Sequence, residues 1–163
     1  MNSFRRRHRT SIGLTVLALL VTVAGCSSAD DSASAAVPSP GAKVAGLCRD
    51  LDKVLPSRVD GLGRRDPEPA STLTAGWGDP AIILRCGVVR PAKMTDPEAD
   101  GVDVNGVGWL LEKRDDGSFR FTTTLREAYV EVAIPKSRTG DGVAPLVDLA
   151  PAVKKAIPAG IAF

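Results

Sequence analysis

The sequence predicts an α+β domain, a two-layer sandwich in which about five antiparallel strands form one sheet and an N-terminal and a C-terminal helix pack on the same face of it. Apolar residues recur at helical spacing near both ends of the region 45–163, and they alternate with polar residues in the runs between. Short turn signals such as Asn105-Gly106 separate consecutive runs, which favours antiparallel neighbours.

Both predicted helices combine an apolar face with a defined end. The first covers about 45–55 and ends before Pro56, and its apolar face consists of Leu47, Cys48, Leu51, Val54 and Leu55. In the second, we expect Asp148 to be the N-cap, Pro151 to fall in the first turn and Pro158 to follow the last turn. Amphipathic helices of this kind need a partner, and the sheet supplies it.

The strands are predicted from alternation of apolar and polar residues. The predicted runs are 71–77, 81–89, 102–113 with a hairpin turn inside it, 118–125 and 127–134. In the clearest run, Ile82, Leu84 and Cys86 share one face, while Arg85 lies on the other. The segment 59–69 carries turn signals and is predicted to be a loop.

Residues 1–25 have the three parts of a bacterial export signal. Arginines at positions 5, 6, 7 and 9 precede the apolar run Ile12–Gly25, which is shorter than the roughly 20 residues of a spanning helix. Val23-Ala24-Gly25-Cys26 closes the run and resembles the lipobox, in which the cysteine is lipidated and becomes the new N-terminus. We therefore expect a lipid anchor on Cys26 at the extracytoplasmic face of the cell membrane. The alternatives are a plain secretory signal or a retained single-pass anchor.

The segment 26–44 separates this signal from the domain. It is rich in Ser, Ala, Asp and Pro and contains no aromatic residue, so it has little apolar surface to offset its ordering entropy. We predict a flexible tether over 26–44 and a single domain over 45–163.

Charge and histidine content exclude several classes of function. Four of the 21 basic residues and none of the 19 acidic residues lie in 1–25, so the remainder carries a net charge of −2. Nucleic-acid binding needs a clustered positive surface, and it is not expected here. The single histidine, His8, leaves with the signal, which excludes Ser-His-Asp catalysis and histidine-ligated zinc. We predict no metal and no cofactor.

Two cysteines remain inside the domain. Cys48 lies on the apolar face of the first helix, and Cys86 lies on the apolar face of the clearest strand. Packing that helix on that strand brings both thiols into one interface. In an oxidising compartment we predict a Cys48–Cys86 disulfide. The alternative is two buried free thiols.

Three residues are candidates for ligand binding. Trp77 and Asp79 flank a predicted turn, where side chains are accessible. Arg85 lies on the strand face away from the helix, where it could pair with Asp79 or hold an anion. The alternative is that the tryptophan caps the core and the charged residues form a structural ion pair.

Several stretches together resemble an uncharacterised lipoprotein family of high-GC Gram-positive bacteria, a domain of unknown function. The resemblance covers about 45–158, and the stretches are the lipobox, 47–51 with 55–56, 77–87, 107–110 and 146–150. It implies an exported envelope protein, and it provides no catalytic residue to carry over.

The hypothesis that follows is a monomeric binding or interaction module of the cell envelope. It would bind an envelope protein or a cell-wall component through the exposed sheet face or the region of Trp77 and Arg85. One alternative is an envelope hydrolase or transferase, which needs two carboxylates in one cleft with one pKa raised. The other is a structural accessory of an envelope complex.

Overall fold

The computed structural model of the chain describes residues 33–162. The predicted signal 1–25, the lipidation site Cys26 and the tether as far as residue 32 lie outside this range. Within it, no helix combines the length and the apolar character needed to cross a membrane.

The described chain contains two α-helices, eight strands and two 3₁₀ helices. The helices are α1, Ala42–Asp52, and α2, Ala144–Ala156; the 3₁₀ segments are Ala92–Thr95 and Lys136–Asp141. The strands are β1, Arg58–Val59; β2, Leu62–Gly63; β3, Thr74–Trp77; β4, Ile82–Cys86; β5, Gly101–Val104; β6, Val107–Lys113; β7, Phe119–Thr123; and β8, Val130–Ile134.

The main sheet has six antiparallel strands in the order β3-β4-β8-β7-β6-β5, and β1 and β2 form a separate hairpin. The predicted α+β class is confirmed. The strand count rises from about five to six because 101–104 folds back on β6 around Asn105-Gly106 as a strand of its own. The order is not a simple meander, since the hairpin β3–β4 and the meander β5–β8 meet where β4 pairs with β8.

The core lies between the helices and one face of this sheet, here called the inner face. The opposite face is called the outer face. Alternation sets which side chains enter the core, because successive strand residues point to opposite faces. The largest fully buried side chains include Trp77, Trp109, Phe121, Leu51 and Leu149. Full burial of an aliphatic or aromatic side chain stabilises by about 1.5–3 kcal/mol, so these residues dominate the packing energy.

A disulfide joins α1 to β4, as the sequence predicts. The Cα atoms of Cys48 and Cys86 lie 5.5 Å apart, and both residues are 1 % exposed. Because the pair spans 38 positions, the bridge closes a long loop of the unfolded chain.

The helix α1 begins at residue 42 rather than 45, and the chain before it lies on the domain. The Ala35 N–H donates to the Glu68 carbonyl at 3.0 Å, and the Glu68 N–H donates to the Ala33 carbonyl at 2.8 Å. Ala35 itself is 7 % exposed. Residues 33–44 therefore differ from the predicted flexible tether. Composition alone indicates too little apolar surface to offset the entropy lost on ordering, but backbone hydrogen bonds and the burial of Ala35 offset it here.

The helix α2 begins at Ala144, with Pro145 in its first turn and Pro151 inside it. The prediction of Asp148 as N-cap is therefore wrong. Asp148 instead accepts the backbone N–H of Asp60 at 2.8 Å and ties the β1–β2 turn to the helix. Pro151 has no N–H for the Val147 carbonyl, and the Asn105 side-chain amide donates to that carbonyl at 3.5 Å.

Replacing both cysteines, Cys48→Ala with Cys86→Ala, is expected to lower the free energy of unfolding by about 4 kcal/mol, since the unfolded chain regains its loop entropy. Denaturant unfolding of the exported protein measures this. Reductant should destabilise the wild type and leave the double variant unchanged. Equal unfolding midpoints for the two proteins would contradict the prediction.

Asp60→Asn is expected to stabilise the fold at neutral pH. Partial burial, followed by the Asp141 and Asp148 carboxylates, raises the pKa of Asp60. Its contribution to stability is therefore present below the usual Asp pKa of 3.8 and is lost as pH rises through the raised value. The variant should gain up to about 0.5 kcal/mol at pH 7, a solvent-screened effect.

The control for this prediction is Asp115→Asn, in the exposed turn between β6 and β7. Thermal unfolding of both variants should be compared with the wild type at pH 7 and at pH 3. A gain for Asp60→Asn that is the same at both pH values would show that Asp60 ionisation is not its cause.

Candidate ligand-binding groove on the outer sheet face

Trp77 is a core residue in the structure. It is 0 % exposed on the inner face, and its Nε1 donates to the Pro56 carbonyl at 3.0 Å. The Arg64 guanidinium covers its ring at 5.3 Å from the centroid. The prediction that Trp77 is accessible to a ligand is wrong, because its register opposite Ile82 points it toward the helices.

Asp79 and Arg85 are not brought together either. Asp79 lies in the exposed β3–β4 turn, where its Oδ2 accepts Arg65 Nη1 at 3.2 Å. Arg85 pairs in register with Thr74, at the other end of that hairpin, and its side chain lies on the outer face. Of the three candidate binding residues, Arg85 lines a large cavity on the outer face.

The outer face is covered by the connection between β4 and β5, residues 87–100, here called the crossover. It runs from an interior strand to the far edge of the sheet and so passes over β8, β7 and β6. Outer-face residues beneath it are buried: Leu110 is 3 % exposed, Thr122 0 % and Glu131 5 %. The crossover converts an expected open sheet face into a groove.

One half of this groove, the charged cavity, has a volume of about 820 Å³. Its floor carries an ion cluster on the central strands, in which Glu131 is buried and both arginines are partly exposed. Glu131 Oε1 accepts Arg85 Nη2 at 2.7 Å and Nε at 2.9 Å, and Glu131 Oε2 lies 3.4 Å from Arg120 Nε. One carboxylate is thereby shared by two arginines, so the cluster has an excess of positive charge.

The other half, the apolar cavity, has a volume of about 550 Å³ and adjoins the charged cavity through Arg90 and Tyr129, which line both. Its apolar lining includes Met94, Leu110 and Leu125. Both volumes fall within the ~300–1,000 Å³ typical of ligand pockets.

Two glycines keep the apolar cavity open along its floor. Gly101 and Gly108 lie on the outer face of β5 and β6. A Cβ at Gly108 would meet the Thr124 Oγ1 at 2.5 Å, so a side chain there would force Thr124 to shift. A Cβ at Gly101 would meet only the Trp109 carbonyl oxygen, at 3.7 Å, which is ordinary contact. A side chain at position 101 would therefore fit its backbone and project into the cavity.

The C-terminal segment forms one wall of the apolar cavity. The Glu127 N–H donates to the Pro158 carbonyl, and the Gly160 N–H donates to the Leu125 carbonyl, both at 3.0 Å. Leu125 is held at a φ of +52°, an uncommon conformation for a bulky residue. The segment is fixed further by Arg126, 9 % exposed, which donates to the carbonyls of Ile157 and Gly106 at 3.1 and 3.0 Å.

Exposed apolar side chains concentrate around the groove. Of the six large apolar residues that are exposed in the described chain, four line one of its two halves: Val37, Val89, Leu125 and Ile161. Val89 is 90 % exposed and Leu125 is 74 % exposed. Clusters of this kind mark interaction sites, whereas single exposed apolar residues do not.

Four carboxylates line the groove. Glu112 and Glu131 line the charged cavity, and Glu131 is engaged by two arginines. Asp100 and Asp103 line the other cavity, where Asp103 Oδ1 accepts the Gly106 N–H at 2.9 Å and Asp100 Oδ2 lies 3.7 Å from Lys113 Nζ. Asp60, the carboxyl group whose pKa is raised, lies in the β1–β2 turn and lines none of these cavities. Asp60 therefore does not supply the groove carboxyl group with a raised pKa that the hydrolase alternative requires.

Sequence reasoning missed Glu131 as the partner of Arg85, and Arg120 as the second arginine that contacts Glu131. Strand alternation does place all three on outward-facing positions. The missing information is that β8 lies between β4 and β7, which brings Glu131 opposite Arg85 across 46 positions.

Comparison with known proteins provides a family and no activity. The model of the family described as "Protein of unknown function (DUF3515)" matches residues 10–162. Neither the search of curated proteins nor that of solved structures gave a match. The resemblance to an uncharacterised family is confirmed by this match, and the chain belongs to the family of proteins of unknown function DUF3515.

Proposed function

We propose that this protein is an exported lipoprotein, anchored through Cys26 at the outer surface of the cell membrane, and that its domain binds a cell-envelope component in the groove. The anchor is supported by the signal pattern of residues 1–25 and the lipobox-like Val23-Ala24-Gly25-Cys26. The Cys48–Cys86 disulfide agrees with an oxidising compartment.

The observation that carries the binding role is the groove itself. It joins a cavity that contains an arginine–glutamate cluster to a cavity whose lining is mostly apolar. Ligand sites typically combine an apolar lining with a few convergent polar groups. Four of the six exposed large apolar side chains of the described chain line the same groove, which supports an interaction there.

The position of the anchor supports an envelope ligand. Seven residue steps separate Cys26 from Ala33, where the described chain begins, and they span at most about 25 Å when fully extended. Residues 36–41 then form part of the wall of the charged cavity. A lipid on Cys26 would keep the groove close to the membrane surface.

For the anchor, we expect the intact mass of the protein in the membrane fraction to correspond to loss of residues 1–25 and gain of a diacylglyceryl group on Cys26. Cys26→Ser should remove the adduct and leave the signal uncleaved, while the neighbouring Ser28→Ala should behave as the wild type. An unlipidated mature chain in the medium would contradict the proposal.

For the groove, a photoactivatable residue at Val89 or at Ile161 should capture a defined product in living cells. Both positions are exposed, at 90 % and 66 %, and each lines one half of the groove. The matched control is Val147, which is 46 % exposed on α2 and lines neither half. Mass spectrometry of the adducts identifies the product. Capture that is equal from all three positions would argue against a binding groove.

A further inference from the structure

The charged cavity has a net positive lining. Four cationic side chains and two carboxylates line it: Arg85, Arg90, Lys93 and Arg120, with Glu112 and Glu131. Arg85 is committed to Glu131 and Lys93 to Asp96. Arg90 forms no ion pair within residues 33–162, and Arg120 reaches only Glu131 there, at 3.4 Å. Two guanidinium groups are therefore left for an anion, for which their planar donor geometry is suited.

The polar atoms nearby favour a head group that also carries hydroxyls. Glu112 lines the charged cavity and lies opposite Arg120 in the β6–β7 register, and its buried Oε2 has no hydrogen-bond partner among the described residues. A carboxylate oxygen accepts hydrogen bonds from a hydroxyl but repels a bare anion, so a hydroxylated acidic group fits better than a simple anion.

The apolar cavity begins where the charged cavity ends, at Arg90 and Tyr129. Beyond that point, Met94, Leu110 and Ile161 provide apolar walls for a chain. The carboxylates of Asp100 and Asp103 also line this cavity, and each has a partner of its own, the Lys113 ammonium and the Gly106 N–H. The ligand shape that this indicates has an acidic head at one end and an apolar chain at the other. The short connection to Cys26 supports the membrane as its source, since it limits the distance between groove and bilayer to about 25 Å.

We infer that the groove binds a single-chain anionic amphiphile of the membrane, with its phosphate between Arg90 and Arg120 and its chain against Leu110 and Ile161. This inference rests on the proposed groove function and names its ligand class. Arg85 positions Glu131, which in turn orients Arg120, and the crossover closes over the junction of head and chain.

The test uses the full chain, purified in a neutral maltoside detergent, and native mass spectrometry with added lipid. Lysophosphatidylglycerol provides the acidic hydroxylated head and one chain. Lysophosphatidylcholine keeps the chain and neutralises the head, and glycerol 3-phosphate keeps the head without the chain. We expect one lysophosphatidylglycerol per protein, bound about tenfold or more tightly than either of the others.

Variants separate the two halves of the groove. Gly101→Phe fills the apolar cavity. The double variant Arg90→Gln with Arg120→Gln removes the two available guanidinium groups. The single variant and the double variant should each weaken lysophosphatidylglycerol binding about tenfold or more. Ile161→Asp, at an exposed position, tests the apolar half without repacking. The matched controls Gly140→Phe, Arg114→Gln and Val147→Asp lie outside both cavities and should bind as the wild type.

Equal binding of the two lysophospholipids, or binding that survives both Gly101→Phe and Ile161→Asp, would overturn the inference. If glycerol 3-phosphate binds as tightly as lysophosphatidylglycerol, the acyl chain contributes nothing and the ligand is a water-soluble phosphate compound. That result would also overturn the inference. If no lipid binds while photocapture at Val89 or Ile161 still yields a protein or wall product, the ligand class is wrong and the groove function stands. If neither experiment gives a product, the groove function itself fails.

Discussion

The pairing of β8 with β4 is the constraint on which the rest of the architecture depends. It joins the β3–β4 hairpin to the β5–β8 meander and places Glu131 opposite Arg85. Because β8 lies beside β4, strand β5 lies at the far edge of the sheet. The crossover, which joins β4 to β5, must therefore cross the sheet. The inner face is already covered by α1 and α2, so the crossover lies on the outer face. The groove is thus a result of strand order.

The fold class and the disulfide follow from local periodicity. In 81–89, alternation alone places Cys86 with Ile82 and Leu84, and helical spacing places Cys48 toward the sheet. Strand order depends on contacts between distant segments, which a local pattern does not encode. The N-cap predicted for α2 is wrong for a related reason. Asp148 is a good N-cap by residue type, but its carboxylate accepts the backbone N–H of Asp60, 88 positions away.

The candidate site was predicted in part. Arg85 is outward-facing and charged, as alternation requires, but its partner is Glu131 rather than Asp79. Trp77 stands beside a Gly-Asp-Pro turn and so suggests an accessible aromatic residue, whereas its strand register buries it. The apolar half of the groove gave no sequence signal, because the parts of its lining that lie beyond β5 and β6 come from the crossover, the loop after β7 and residues 160–161. Segments without periodicity carry no information about which face they cover.

Residues 158–161 are hydrogen-bonded to the loop after β7 and form one side of the apolar cavity. Affinity tags and fluorescent reporters are commonly fused at a C-terminus on the assumption that it is remote from function. A tag inserted directly after residue 162 would begin beside Ile161 and obstruct the mouth of the groove. Between Gly140 and Gly142 lies an exposed insertion point that leaves that mouth clear.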